Sequence, residues 1–343
     1  MRLRFPVAKE ELMTNPSNDS ASVPSEIREV AVTGAGLIGM SWAALFLANG
    51  LRVRVFDPRP DLEKAVREGL VAMSPALEQL GYSMRGFEQR LRIETKLEAA
   101  ASGADVVQES GPEQIDFKRS FFAGLEQYVK PTALLFSSTS SLRATRISAE
   151  MKHPERMMVG HPFNPPHVMP LVEVVPGERT SPEAAQKAMA FYRALGKAPV
   201  LLHREINGFV GNRLQAAVLR ESIYLVQQGV VSVDELDTLM ANSLGLRWAT
   251  VGPFKGIHLG GGPGGIKHFL DHLGTMFEGL FNELGEAHIT PETIAQLTAQ
   301  AESAYGPMPN PHMAAERDRK QLGILQSHAS VVRKMAEEEK NVA

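Results

Sequence analysis

The sequence has no cysteine among its 343 residues. That excludes disulfides, thiolate catalysis and zinc–sulfur sites together, and it suits a reducing, cytoplasmic setting. Excess charge of either sign is also missing: 36 Lys and Arg stand against 39 Asp and Glu, a net of −3. Nucleic-acid and membrane-surface binders need a basic stripe or tail, so neither partner is expected. Residues 1–26 have no apolar core of the kind a signal peptide carries and are broken by Pro6, Pro16 and Pro24. They read as a disordered extension. Long apolar runs are scarce as well. Val30–Ala48 is an uncharged window long enough to span a bilayer. Gly34, Gly36 and Gly39 divide it into a β-branched start and a helix-prone end, which reads as strand, tight turn and buried helix.

What is present fits an ordinary globule of about two domains, with 43% apolar and 22% charged residues. From Ile27 to about Glu205, short apolar runs alternate with helical patterns. The strand candidates are Val30–Thr33, Val53–Phe56, Asp105–Gln108, Leu134–Ser137, Met157–Val159, Val172–Val175 and Val200–Leu202. Helical patterns lie around Met40–Asn49, Lys118–Tyr128 and Pro182–Leu195. Such alternation predicts a largely parallel, doubly wound sheet. After Ile206 the strand signals stop. Ile206–Gln228 carries apolar residues near a helical period with Gly229 at its end. Ser232 and Glu235 resemble a capping box, Thr290-Pro291 starts a further helix, and Glu316 onward reads as a charged terminal one. The expected division is an α/β domain over 27–205 and an all-helical domain over 206–343.

The strongest local signal is Gly34-Ala35-Gly36-Leu37-Ile38-Gly39, directly after a strand and opening a helix. Gly34 permits the turn, Gly36 lets backbone approach a pyrophosphate, and Gly39 lets helix pack on strand. The helix N-terminus then offers N–H groups to phosphate. Asp57 ends the next strand, about 20 residues on, where a carboxylate takes the ribose hydroxyls and repels a 2′-phosphate. This βαβ unit is of the Rossmann type and predicts NAD rather than NADP, although Arg59 is a cation placed where it could meet a 2′-phosphate.

Polar groups recur at the ends of the later strands, in Ser137-Ser138-Thr139-Ser140-Ser141, His161-Pro162-Phe163-Asn164-Pro165 and Leu171-Val172-Glu173-Val174. Oxidising an alcohol requires a base for the hydroxyl proton while hydride leaves carbon, a role histidine suits near neutral pH. A carboxylate behind the ring fixes its tautomer. Glu173 lies in an apolar run and needs a partner; His161 on an adjacent strand would be that partner. His268 and His272 are four apart without an evident third ligand, so no metal is expected. Trp248 and Phe254 read as core.

Together with Gly208-Phe209-Val210-Gly211-Asn212-Arg213, these segments occur in the order of the L-3-hydroxyacyl-CoA dehydrogenase family, which the sequence resembles over about residues 27–275. The resemblance implies His161 as general base, Glu173 as its partner, and Ser140 and Asn212 holding the substrate oxygen. It places Glu113, Lys118 and Asn164 on the nicotinamide side of an NAD site. It further implies a Rossmann domain followed by a helical domain that forms a homodimer.

Coenzyme-A users of that family carry a long basic helical hairpin after the second strand, for which Asp57 to Asp105 leaves little room. Ser138 also stands where the family usually shows Asn. Leu244–Ala249 with Gly252-Pro253, and the stretch Gly260–Leu270, resemble instead a branch acting on free 3-hydroxy acids, carnitine-like first and gulonate-like second. By position in that resemblance, Arg247 would bind a carboxylate, and Trp248 or Phe254 a quaternary ammonium by cation–π attraction. The rival expectations are a 3-hydroxyacyl-CoA dehydrogenase with a shortened hairpin and a non-catalytic, crystallin-like nucleotide-binding protein.

Overall fold

The computed structural model describes residues 23–307 and 311–342. The expected disordered extension before Val23 lies outside the described residues. Val23 packs against the core, and the Ile27 N–H donates to the Pro24 carbonyl at 2.7 Å. The chain forms two compact units. One runs to Val210 and takes in the chain from Ala329 onward; the other is Gly211–His328. The division therefore falls beyond residue 205, and the last part of the terminal helix returns to the first unit.

Among the described residues of the first unit, eight strands form one sheet in the order β3-β2-β1-β4-β5-β6-β7-β8. They are β1 Glu29–Thr33, β2 Arg52–Phe56, β3 Leu91–Glu94, β4 Val106–Glu109, β5 Leu134–Ser137, β6 Met157–Pro162, β7 Leu171–Pro176 and β8 Ala198–Leu201. All neighbours are parallel except β6 and β7. Successive side chains leave opposite faces of a strand, and both faces are covered. Val30, Val32, Val53 and Phe136 meet Trp42, Phe46, Phe191 and Tyr192 on one side, while Ala31, Val107 and Leu135 meet Phe122 and Ile147 on the other. That two-sided burial is why these strands read as continuous apolar runs rather than alternating ones. β3 is an edge strand that the sequence reading did not anticipate, because only Leu91 and Ile93 mark it.

The uncharged window Val30–Ala48 resolves into β1, the glycine turn and the helix Leu37–Ala48. Among the described residues no helix is long and apolar enough to cross a membrane. After β2 comes one long helix, Leu62–Gln79, then a single helical turn, Phe87–Arg90, leading into β3.

Among its described residues the second unit has helices and no strand. Its first helix is Gly211–Gln227 rather than one beginning at Ile206, because Gly208 (φ 73°) and Phe209 (φ 50°) are left-handed and break the period. Gly229 follows that helix with φ 65°. Ser232 and Glu235 make both reciprocal bonds of a capping box on Val233–Asn242, and Thr290 caps Pro291–Tyr305. The terminal helix starts at Pro311, ahead of Glu316.

A buried lysine ties the β6–β7 connection to the sheet edge. Lys197 Nζ donates to the Met169 carbonyl at 2.8 Å and also to that of Pro166, above the ring of Trp42, and burial pulls its pKa from 10.5 down to about 7. Between those values the unfolded chain holds a proton the folded one lacks, so stability rises with pH across that window. The slope is up to about 1.4 kcal/mol per pH unit. Urea unfolding of Lys197→Met at pH 7.5 and 9 is expected to lack this rise; an identical slope in both proteins would refute it.

Candidate active site

β1, β4, β5 and β6 run parallel, so their carboxyl ends line one edge of the sheet, and the chain leaves β1 and β4 in opposite directions there. Ligands of open α/β sheets bind in the crevice at such a switch. Gly34 takes φ 91°, and a Cβ added to Gly39 would stand 1.8 Å from the Gly34 carbonyl oxygen, so turn and helix touch only because residue 39 is glycine. Nothing lies within 4 Å of a Cβ at Gly36. The helix start has no side-chain cap and no acidic residue in its first turn. Backbone N–H groups facing open space beside a positive dipole end fit a dinucleotide pyrophosphate.

Asp57 follows β2, beside the glycine turn. Its Oδ2 accepts from the Ala35 N–H at 2.8 Å and its Oδ1 from the Arg59 N–H at 3.0 Å. The Arg59 guanidinium is turned onto Asp61, with bonds of 2.7 and 2.9 Å. It is thus engaged by a carboxylate rather than presented to a 2′-phosphate.

At the other end of the crevice, His161 and Glu173 face each other directly across the antiparallel β6–β7 pair. His161 Nδ1 lies 2.8 Å from Glu173 Oε2, with the two residues only 5% and 2% exposed. The second carboxylate oxygen accepts from the Val210 N–H at 2.8 Å. The left-handed Gly208-Phe209 turn delivers that N–H. Phe209 is itself fully buried, its ring 5.3 Å from the imidazole, with Phe163 at 5.5 Å on another side. A bulky residue at positive φ costs of order 1–3 kcal/mol and marks a place the surroundings over-determine. Sequence reasoning missed this brace, although glycine at 208 inside an apolar period was its signal.

Glu113 gathers the serine run. Its Oε1 accepts from Thr139 Oγ1 at 2.5 Å, from the Ser140 and Ser141 N–H groups at 3.0 and 3.2 Å, and from Ser141 Oγ at 3.1 Å. Burial would raise its pKa, but these bonds and the nearby Lys118 charge hold it below the usual carboxylate range. Ser140 Oγ lies 3.4 Å from the same oxygen. Lys118 is within 3.7 Å of Glu113, but its amine belongs mainly to Glu109, at 2.7 and 2.9 Å, with both side chains 1% exposed. Glu109 also accepts from Ser137 Oγ at 2.6 Å and the Gly111 N–H at 2.6 Å. It was not singled out from the sequence; a carboxylate ending an apolar strand nine positions before a lysine could have shown it. Asn164 is exposed on the connection after β6.

Asn212 opens the helix Gly211–Gln227 in the second unit, two residues after Val210. Arg247 and Trp248 lie on the helix Leu244–Thr250, and Phe254 on Pro253–Gly260. Trp248 is 42% and Phe254 75% exposed, so neither is the core residue expected: both rings stand on faces of their helices turned away from the neighbouring helices. His268 and His272 stack at 6.2 Å, and no group of three metal-ligating side chains occurs among the described residues.

A pyrophosphate turn and an imidazole braced by a buried acid, on one edge of one sheet, have a joint use in passing hydride between an alcohol carbon and a nicotinamide. The class is that of the NAD-dependent dehydrogenases. Within it, the chain belongs to the 3-hydroxyacyl-CoA dehydrogenase family, matching that family's NAD-binding domain over residues 29–206 and its C-terminal domain over 208–302. An L-carnitine dehydrogenase of Streptomyces griseus is 39% identical over 92% of this chain and 94% of its own. A 3-hydroxyacyl-CoA dehydrogenase of Gibberella moniliformis is 38% identical over 88% and 94%. Among solved structures, a 5-formyl-3-hydroxy-2-methylpyridine 4-carboxylic acid 5-dehydrogenase, described as an NAD+-dependent dismutase, superposes with a TM-score of 0.75 at 28% identity, covering 88% of this chain and 99% of that one. With such relatives the non-catalytic reading is set aside.

Proposed function

We propose that the chain oxidises the C3 hydroxyl of a small polar L-3-hydroxy acid to the 3-keto acid, a carnitine-like acid first and a gulonate-like one second. The observation that carries this reading is the His161–Glu173 pair. Glu173 accepts from Nδ1–H, which leaves the lone pair on Nε2 to take the hydroxyl proton. NAD, when bound, supplies the hydride acceptor. The imidazolium formed is stabilised by the carboxylate behind it, and the rings of Phe163 and Phe209 keep water from that face. Glu113 holds the serine loop so that Ser140 reaches the substrate oxygen, with Asn212 as second donor. Asn164 and the Glu113–Lys118 pair shape the nicotinamide side. Arg247 takes the carboxylate, and Trp248 or Phe254 the quaternary ammonium.

A free acid is favoured over a thioester by the charges after β2. Coenzyme A brings several phosphates that need available cations. On the helix Leu62–Gln79, Arg67 is paired with Glu63 at 2.9 Å and Lys64 with Glu68 at 3.9 Å. One helical turn follows, not a second long basic helix. The relatives named L-carnitine dehydrogenase support the same choice. An NADH-coupled screen of carnitine, gulonate, 3-hydroxybutyrate and 3-hydroxybutyryl-CoA is expected to give at least about tenfold higher kcat/KM on a free acid than on the thioester, roughly the 1.4 kcal/mol that a charged contact supplies. Preference for the thioester would reverse the assignment.

The same reading includes a cytoplasmic homodimer. The second unit exposes Leu246, Leu259, Leu270, Met276 and Phe281, apolar side chains that a second copy would cover. Sedimentation is expected at twice the chain mass of 37.4 kDa, and a single-chain mass would contradict pairing.

A further inference from the structure

Beneath the crevice the sheet carries polar groups that this reaction leaves unused. Gln108 on β4 is fully buried, where an amide must find partners at both ends. The Tyr192 hydroxyl, also fully buried, donates to Gln108 Oε1 at 2.8 Å, and Gln108 Nε2 donates to Ser138 Oγ at 2.8 Å. Ser138 Oγ in turn lies 2.9 Å from Ser110 Oγ. The Gly160 carbonyl oxygen, 3.5 Å from Nε2, fixes which end of the amide is which, since an oxygen turned toward it would be repelled. Burial pushes the Tyr192 phenol well above its usual range, so it keeps its hydrogen and donates.

Head-to-tail donation polarises each successive bond of such a chain. Tyr192 gives to Gln108 and Gln108 to Ser138; either hydroxyl of the Ser138–Ser110 pair can donate, and donation from Ser138 to Ser110 is the sense that continues the chain. The Ser110 hydrogen is then left over, and among the described residues its hydroxyl has no side-chain partner but Ser138. Ser110 and Ser138 are half-buried, just past the ends of β4 and β5. The Ser110 N–H donates to the Thr33 carbonyl at 2.7 Å, and the Ser110 carbonyl oxygen is 2.5 Å from where a Cβ on Gly34 would stand. Ser110 therefore flanks the glycine turn, on the opposite side of β1 from β2 and Asp57.

We propose that the Ser110 hydroxyl donates to an acceptor oxygen on the nicotinamide half of the bound dinucleotide, and that Gln108, Ser138 and Tyr192 are positioning residues that keep this hydrogen directed into the crevice. The proposal rests on the dinucleotide reading of the glycine turn. Asp57 takes the adenosine half, so a contact from the β4 flank falls on the other.

The test is equilibrium titration of the full-length protein with NADH, read by nicotinamide fluorescence, and with AMP, read by calorimetry. Ser110→Ala is expected to raise the NADH Kd about three- to tenfold, the scale of one neutral hydrogen bond, while the AMP Kd stays the same. Ser138→Ala is expected to raise the NADH Kd about twofold, with the double variant no weaker than Ser110→Ala alone, as for members of one chain. Unchanged NADH affinity in Ser110→Ala, an equal loss for AMP, or additive losses in the double variant would each overturn the proposal. Wild-type protein that binds neither ligand would overturn the dinucleotide reading itself, a distinct result.

Discussion

Replacing His161 with glutamine is expected to lower kcat by about 10²- to 10⁴-fold, the usual contribution of a positioned general base, while the Kd for NADH changes less than twofold. Glutamine keeps a polar group between the rings of Phe163 and Phe209 but has no basic lone pair to take the hydroxyl proton. The cofactor should be indifferent because β6 lies three strand positions from β1, roughly 14 Å across the sheet at the usual spacing. Stopped-flow single turnover separates the step from product release. A loss of NADH affinity matching the loss of rate would remove His161 from the role of base.

Glu173→Gln is expected to cost kcat a similar factor, about 10²- to 10⁴-fold, by a different route. The carboxylate serves two donors, His161 Nδ1 and the Val210 N–H. A carboxamide can serve only one. With its oxygen kept on Val210, its NH₂ donates to Nδ1, which moves the ring hydrogen to Nε2 and removes the lone pair that faces the substrate. With the amide reversed, two donors confront each other at Val210. Glu173→Ala should add a stability loss of about 1–3 kcal/mol by leaving the buried His161 Nδ1–H unpaired, so comparing the two variants in urea and in turnover distinguishes the chemical from the structural part. Near-normal kcat in Glu173→Gln would show that the acid is only a strut.

The βαβ unit was legible because β-branched residues, glycines and small helix formers follow one another in a fixed spacing, and each type has one conformation it suits best. The His161–Glu173 pair was legible as two polar residues inside apolar strands. Their antiparallel apposition was not, although the connection between Pro162 and Leu171 is too short for a parallel crossover. Burial decides the remaining cases. Lys118 shares a sequence neighbourhood with Glu113 but gives its amine to Glu109, because a nearly enclosed ammonium needs a nearly enclosed carboxylate. Trp248 and Phe254 illustrate the opposite error, since aromatic character alone suggested a core that their short helices do not supply.

The imidazole and its acid sit on facing rungs of a single ladder, so their mutual placement does not depend on the length of the hairpin that joins them. The ladder bonds between the strands hold the reacting pair in register, whatever contacts the connecting residues make. One extra residue inside either strand does the reverse, turning an essential side chain to the far face of the sheet. The two strands therefore accept substitution but no change in length, while the connection between them is held separately, by Lys197 at the Pro166 and Met169 carbonyls.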